Sequence, residues 1–477
     1  MPERYRSYLG IRYPIKNLPE LDPDFIPMGR WIEAYLQGAS SPVKIGIERP
    51  DRITVRETKI YGTADKVDAD FRFLERYVKF LLWSVGGYRI YISGADHLVD
   101  QLSEQYFYDE SDLSRNGKRW FDVQFMQDVF GKTLEFVAVS EDSFPHDNDV
   151  SVPIGGHFEG RRVGLDLGGS DLKISCVMDG KEVFADERVW HPKTQTDPQY
   201  HFDFMKAVLQ EAESVLGKID AIGISSAGVL IGNAPMVSSL FISVPRDYEI
   251  RKSVHTIFDR VAETVGDGTV PVVVANDGDI TALAGALSHG ISNVLGLAFG
   301  TSVAGGFVDK EGNILGWFNE LAFAPVDLNE KAPEDEWSKD YGVGCKYLSQ
   351  DAVMILSEKA GIILDKDKTI AERLLVVQKL AEQHDPRAEA VFRSIGCYLA
   401  HCVSLYSLLY NFDHLMLLGR VLSGRGGELI LDRCKEILEE EYPVLSASVD
   451  LILPDEKTRK VGQAYAASSL PITKKRA

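Results

Sequence analysis

The sequence predicts an α/β protein made of two related lobes with a cleft between them, preceded by a further α/β domain. Three observations carry this. Strand-like apolar runs alternate with helical patterns from Arg162 onward. Glycine-rich turns follow buried strands at three separate places, beginning at Gly168, Gly300 and Gly419. The composition, 45% apolar and 26% charged over 477 residues, is that of a globular chain long enough for two to four domains, at ~100–200 residues each.

The elements follow in order. Arg162-Val-Gly-Leu-Asp-Leu-Gly-Gly-Ser170 reads as a strand and a glycine turn, Leu172 to Val177 as a second strand, and Met178-Asp-Gly-Lys181 as a hairpin turn. Phe202, Met205, Val208, Ala212 and Leu216 share one helical face. Ile219 to Ile224 is a buried strand bounded by Ser225-Ser-Ala-Gly228, and a helix from Ser253 to Val265 leads to the buried strand Val270 to Ala275, which stops at Asn276-Asp277. Strands first, then helix, strand, helix, strand, is the order of a ribonuclease-H-like half. The outline repeats: Asn293 to Phe299 and Gly305 to Val308 form a second glycine-broken hairpin, helices run to about Tyr410, His414 to Leu418 is a buried strand, and Val449 to Leu453 precedes a closing helix.

Residues 1–160 read either as a third, decayed copy or as an unrelated α/β module. Val43-Lys-Ile-Gly-Ile-Glu48 parallels Arg162 to Asp166, Ile53 to Ile60 the next strand, a helix from Asp70 to Val85 precedes Arg89 to Ser93, and Phe136 to Asp142 ends much as Val272 to Asp277 does. The glycines differ, since Glu48-Arg-Pro-Asp51 stands where Asp166-Leu-Gly-Gly169 would, and proline lacks the N–H that a phosphate needs. The boundaries expected are 1–160 for this domain, 161–277 for the first lobe with a closing helix at 458–470 returning to it, and 278–457 for the second.

Charge and cysteine content narrow the function. Lys+Arg 52 against Asp+Glu 71 gives −19, and residues 1–160 alone hold 19 basic and 26 acidic residues, so no part is a basic arm for nucleic acid. The longest apolar stretch, Phe80 to Gly87, is far short of the ~20 residues of a membrane span, and the polar N-terminus has no signal-peptide core. The five cysteines never form a CxxC pair, which suits buried thiols in a reducing compartment. A soluble cytoplasmic protein is expected.

Candidate chemistry gathers at strand ends. Asp166-Leu-Gly-Gly-Ser170, with Lys173, offers a carboxylate and a turn small enough for backbone N–H groups to approach a phosphate. Gly300-Thr301 begins a second such turn, and Gly419 to Gly424 a third; three of them at the ends of buried strands suit a nucleotide crevice. Asp277 is placed to accept a proton from an attacking hydroxyl, with Asn276 beside it to hold neighbouring hydroxyls, or to cap the helix that follows.

Taken together, Asp166 to Lys173, Ala275-Asn-Asp277, Phe299 to Gly306 and Gly419 to Gly424 resemble, in order and spacing over about residues 161–470, the ROK family of sugar kinases and sugar-responsive repressors within the actin/hexokinase superfamily. The resemblance implies two ribonuclease-H-like lobes closing over ATP, Mg²⁺ and a hexose. It places Asp166 near metal and phosphates, Gly168, Gly169, Ser170, Lys173, Gly300 and Thr301 around the phosphates, Gly419 and Gly424 on the nucleotide side, Asp277 as the base, and Asn276, Gly228 and Glu320 on the substrate side. A sugar would be the partner, without nucleic acid or membrane, and a homodimer is left open.

Two departures accompany the match. Glu320-Leu-Ala-Phe323 stands where the family has Glu-Ile-Gly-His, so Phe323 replaces a sugar-contacting histidine. Gly344-Cys-Lys-Tyr347 stands where the family has Gly-Cys-Leu-Glu, so the zinc cluster has lost its ligands and Tyr347 replaces a sugar-binding glutamate. The alternative that these departures raise is a non-catalytic sugar or nucleotide sensor; a repressor would need a basic helix-turn-helix ahead of the lobes.

Overall fold

The computed structural model describes residues 5–151, 154–453 and 462–473. The chain divides into two units: Met1–Asp149 with Leu297–Gly305 and Trp317–Ile452, and Val150–Gly296 with Gly306–Gly316 and the chain from Leu453.

In the first unit a small hairpin, β1 (Tyr5–Tyr8) and β2 (Ile11–Pro14), precedes α1 (Met28–Gly38). Apolar alternation then forms β3 (Ser41–Glu48) and β4 (Ile53–Ile60), followed by α2 (Val67–Val85), β5 (Arg89–Ser93), α3 (Asp96–Gln105), α4 (Trp120–Phe130) and β6 (Glu135–Ala138). Their sheet has the order β4-β3-β5-β6. The four sheet strands and α2 fall where predicted, while β1, β2, α1, α3 and α4 were not foreseen, and the decayed-copy reading fails on direction: β5 runs antiparallel to β3, not parallel to it. Since β4 is also antiparallel to β3, α2 carries the chain between two parallel strands, β4 and β5, with β3 inserted between them. This is a split βαβ crossover, and β6 extends the parallel set beside β5.

Helix α2 is buried nearly all round, charged residues included. Buried charges must be paired. Arg76 bonds Asp340 at 2.8 Å, Lys79 bonds Asp122 at 2.7 Å and lies 3.2 Å from Asp340, and Arg119 bonds Glu75 at 2.5 Å and Asp340 at 2.7 Å. Residues 75–122 are thereby tied to the irregular segment around Asp340.

The second unit is built on β7 (Arg161–Leu167), β8 (Asp171–Met178) and β9 (Lys181–Val189), antiparallel to one another in turn. Helix α5 (Pro198–Leu216), capped by Asp197 and ended by left-handed Gly217, leads to β10 (Ala221–Ser226). A small hairpin that sequence periodicity did not show, β11 (Val229–Ile231) and β12 (Ala234–Val237), comes next. The single helix predicted from Ser253 is two, α6 (Tyr248–His255) and α7 (Ile257–Ala262), broken at Thr256, whose backbone leaves the helical region. Strand β13 (Val272–Asn276) and helix α8 (Asp277–His289) follow. The sheet order is β13-β10-β7-β8-β9, with β10 and β13 parallel to β7. Its apolar face packs Val163, Leu165 and Ile224 against Met205, Leu209 and Phe258.

Strands β14 (Val294–Phe299) and β15 (Val303–Val308) join β16 (His414–Leu418) and β17 (Asp450–Ile452) in the order β15-β14-β16-β17. Helices α9 (Gln350–Lys359), α10 (Ile370–Glu382), α11 (Pro386–Tyr406), α12 (Gly424–Glu441) and α13 (Pro443–Ser448) belong to the first unit. Of the expected closing helix, α14 is described over Gln463–Ser468, and residues 458–461 lie outside the described residues. Among the described residues no helix is long and apolar enough to cross a membrane.

Candidate functional site

In the second unit, three parallel strands end side by side. Register sets Asp166 of β7 opposite Ser225 of β10, and Ser226 opposite Asn276 of β13. Asp166, Ser225 and the Asn276-Asp277 pair therefore come to one edge of the sheet.

The glycines within these strands serve packing. A Cβ on Gly164 would fall on the carbonyl oxygen of Ala464, and one on Gly223 on that of Ala467. Only glycine lets α14 lie so close on the sheet. That approach brings Gln463, the first residue of α14, over Asp166.

Asp166 is 5% exposed. Ser225 Oγ donates to its Oδ1 at 2.8 Å. In the amide orientation that satisfies both sides of Gln463, its nitrogen donates to the two Asp166 oxygens at 2.9 and 3.0 Å and its oxygen faces the Thr281 hydroxyl. Lys173 Nζ stands 3.8 Å from Asp166 and donates to Asp171 at 2.9 Å. Burial pushes the Asp166 carboxyl up to about 6; Ser225 and Lys173 oppose the rise, and Asp277 adds to it. The turn beyond is held by the Gly168 N–H donating to Asp171 O at 2.9 Å, and Gly169 and Ser170 are exposed.

Asp277 opens α8. Asn276 caps that helix, accepting from Gly278 N at 2.7 Å, while its Nδ2 donates to Gly228 O at 2.8 Å. Gly228 has φ 109, and a Cβ there would fall on the Val237 carbonyl, so the contact needs glycine. Gly278 N also donates to Asp277 Oδ1 at 3.0 Å. Burial raises the Asp277 carboxyl above its ordinary value, and that N–H partly offsets it.

The other predicted residues lie in the first unit. Gly300 N donates to Ser302 O and Gly300 O accepts from Gln350 N, both at 2.9 Å, leaving Thr301 exposed at the tip of its turn. Gly419, φ 103, packs on the Phe299 backbone, where a Cβ would collide, so the second and third glycine turns are neighbours. Gly424 begins α12, whose Arg425 N–H donates to the Glu382 carboxylate at 2.8 Å. Glu320 N donates to Trp83 O at 3.0 Å.

Of the two departures, Tyr347 is built into the core and Phe323 is half-buried in an aromatic cluster. Phe323 sits among Trp83 and Phe121, with ring centroids 4.5 and 5.2 Å away. Tyr347, 1% exposed, donates to Asp327 at 2.7 Å and does not reach solvent. Burial pushes Asp327 up to about 7. Cys345 is buried with Asp335 3.5 Å from its Sγ, and among the described residues no group of three His, Cys, Asp or Glu is placed to hold a metal.

No described protein family and no curated protein matches this sequence. Solved structures do. A ROK hexokinase from Thermus thermophilus is 18% identical over 65% of this chain and 97% of its own, with TM-score 0.49. A ROK family transcriptional regulator, homolog of the E. coli MLC protein, is 16% identical over 68% and 80%, with TM-score 0.49. A ROK family glucokinase from Streptomyces griseus, solved with glucose and AMPPNP, is 18% identical over 65% and 98%, with TM-score 0.44. The chain is similar to ROK proteins.

Sequence reading missed Gln463 and Ser225. Ser225 was noted only as a strand boundary. Gln463 carries no motif, and its position follows from Gly164 and Gly223, whose meaning as a helix-packing pair emerges only with α14 in place.

Proposed function

We propose that this chain is a ROK-type carbohydrate kinase that phosphorylates a sugar or sugar-like hydroxyl compound, with Asp277 as general base. The observation that carries this reading is the pair of desolvated carboxylates, Asp166 and Asp277, at adjoining strand ends with their pKa values raised. A base is most effective when its pKa approaches the working pH. The strand order around β7 supports a ribonuclease-H-like lobe.

The residues fit ATP and Mg²⁺. The exposed Gly169-Ser170 part of the turn offers backbone N–H groups with little side-chain bulk, and Mg²⁺ needs only one or two carboxylates when phosphate oxygens and water complete its shell, a role for Asp166. ATP supplies the phosphoryl group when bound. Lys173 contributes positive charge beside the turn, Asn276 fixes the start of α8, and Asp277 takes the hydroxyl proton; phosphoryl transfer asks the protein mainly for positioning and charge. Gly300, Thr301, Gly419 and Gly424 are assigned to the nucleotide and Gly228 and Glu320 to the sugar side. Five free, buried cysteines suit a cytoplasmic setting.

Burial of Tyr347 and the ring packing of half-buried Phe323 support a second reading, a non-catalytic sensor, because neither position presents a polar group to a sugar. An ADP-release assay over sugars and amino sugars with Mg²⁺·ATP decides. Turnover on at least one, lost in Asp277→Asn, upholds the kinase; nucleotide binding without turnover on the whole panel upholds the sensor.

A further inference from the structure

The Lys193 ammonium stands against the glycine turn that follows β7. A Cβ built on Gly169 would fall 2.7 Å from Lys193 Cε and 2.8 Å from its Nζ, so the absence of a side chain at 169 leaves the lysine room to lie there. Both residues are exposed.

The contact is fixed through the backbone. Trp190 is 1% exposed and belongs to the core of this unit. Its indole N–H donates to Gly168 O at 2.8 Å and its backbone N–H to Ser170 O at 3.1 Å, which ties the residue after β9 to the turn. A single helical turn, Pro192–Thr194, then carries Lys193. Buried His201 fixes its start, with Nε2 donating to Pro192 O at 3.1 Å and to Leu240 O at 3.0 Å. Ser243 Oγ donates to Lys193 O at 2.6 Å.

The charge balance of the turn leaves a place for this cation. Asp166 and Asp171 share one ammonium, that of Lys173, which donates to Asp171 at 2.9 Å and lies 3.8 Å from Asp166. With both carboxylates ionised, that group carries one negative charge in excess and would repel a phosphate. Lys193 Nζ has no hydrogen-bond or ion-pair partner among the described residues, and the Gly169 and Ser170 N–H groups donate to none of them. Three donor groups, one of them charged, therefore stand unengaged at one exposed turn.

We propose that Lys193 is the phosphate-binding cation of this site, taking an oxygen of the nucleotide's phosphate chain together with the Gly169 and Ser170 N–H groups. The assignment rests on the kinase reading for its nucleotide. An ammonium brings compact charge and three donors on a flexible stem, whereas Lys173 is already engaged by two carboxylates.

The test is calorimetric titration of the full chain with ATP and with inorganic tripolyphosphate, in wild type, Lys193→Met and Lys193→Arg. Lys193→Met should weaken both ligands ~10-fold, the lower end of a charged hydrogen bond because the ammonium is exposed. The loss should shrink as salt is raised. Lys193→Arg keeps the charge and should recover most of the affinity. The melting temperature should not move, since the hydrogen bond that holds Lys193 itself uses its backbone carbonyl. Affinity unchanged in Lys193→Met, a loss in Lys193→Arg as large as in Lys193→Met, a loss accompanied by a lowered melting temperature, or no binding of either ligand to wild type overturns the proposal. The two readings fail separately. Binding that depends on Lys193 without ADP release on any sugar refutes the kinase alone, and ADP release with ATP affinity indifferent to Lys193 refutes this assignment alone.

Discussion

Glu48 and Asp166 occupy matching places in two sheets. Each is an acidic residue near the end of a buried strand, two positions after a glycine, Gly46 or Gly164. Their surroundings differ. Beside Glu48 runs the antiparallel strand β5, whose Arg89 donates to the carboxylate at 3.1 Å and Tyr91 at 2.6 Å, with Tyr88 adding 2.8 Å. Burial works against ionisation there, yet these donors hold the carboxyl below its ordinary value. Beside Asp166 runs the parallel strand β10, which brings Ser225 and, beyond it, Asn276-Asp277. A parallel neighbour collects strand ends on one edge, whereas the antiparallel neighbour at Glu48 brings the start of β5. One carboxylate becomes a structural ion-pair partner; the other stays desolvated and poised.

The largest expected contrast is catalytic. Asp277→Asn should cut phosphoryl transfer ~10²–10⁴-fold with nucleotide affinity within a few-fold, measured by ADP release and calorimetry. Glu48→Gln should leave turnover unchanged. Equal losses in the two variants would erase the distinction between the sheets.

Next comes the packing of the paired glycines. Gly164→Val forces a branched side chain onto the Ala464 carbonyl and should destabilise by about 3 kcal/mol or more in urea denaturation. A Cβ at Gly46 meets the Phe144 ring edge at 3.2 Å and Tyr91 Cβ at 3.5 Å, and no backbone atom is among these neighbours, so Gly46→Ala should cost under about 1 kcal/mol. A Gly46→Ala loss as large as that of Gly164→Val would mean that the two strands are equally confined.

The pH dependence separates the carboxylates by sign. The folded Asp166 value of about 6 lies above its ordinary 3.8, so the native state holds this proton more tightly and loses stability as pH rises through that window. Asp166→Asn should therefore gain ~1–3 kcal/mol at about pH 7.5, fading towards about pH 4. For Glu48 the folded value is depressed; its contribution is present above the ordinary carboxylate range and disappears as pH falls through the folded value. Glu48→Gln should lose under about 1 kcal/mol near pH 7.5, because the pair is partly solvated. Denaturation midpoints across the pH range check both, and a loss in Asp166→Asn at high pH would refute the first.

The smallest effect separates hydrogen bonding from shape at Gln463. Gln463→Glu keeps the size but replaces the donor to Asp166 with a like charge, so it should lower turnover more than Gln463→Met does. Equal activities would reduce Gln463 to packing.

Strand positions were legible because burial on one or both faces imposes apolar runs that survive in one dimension: β3, β4, β5 and β16 begin or end within two residues of where alternation put them. The third glycine turn was legible because few residue types tolerate the positive φ of Gly419 and Gly424, and Asn276-Asp277 because few cap a helix. Strand direction in residues 41–138 was not, since period-two alternation reads the same from either end, and only the crossover through α2 decided that β4, not β3, is the parallel partner of β5. Nor was Gln463, whose place over Asp166 depends on a helix about 300 residues downstream settling on two glycines. What the sequence determined by itself was local: which segments are strands, where they turn, and which carboxylates stand at their ends. The tertiary structure decided which neighbour each carboxylate has, because donors, burial and opposing charge are supplied by residues far along the chain, and those set whether a carboxylate is neutralised in a pair or left ready to take a proton.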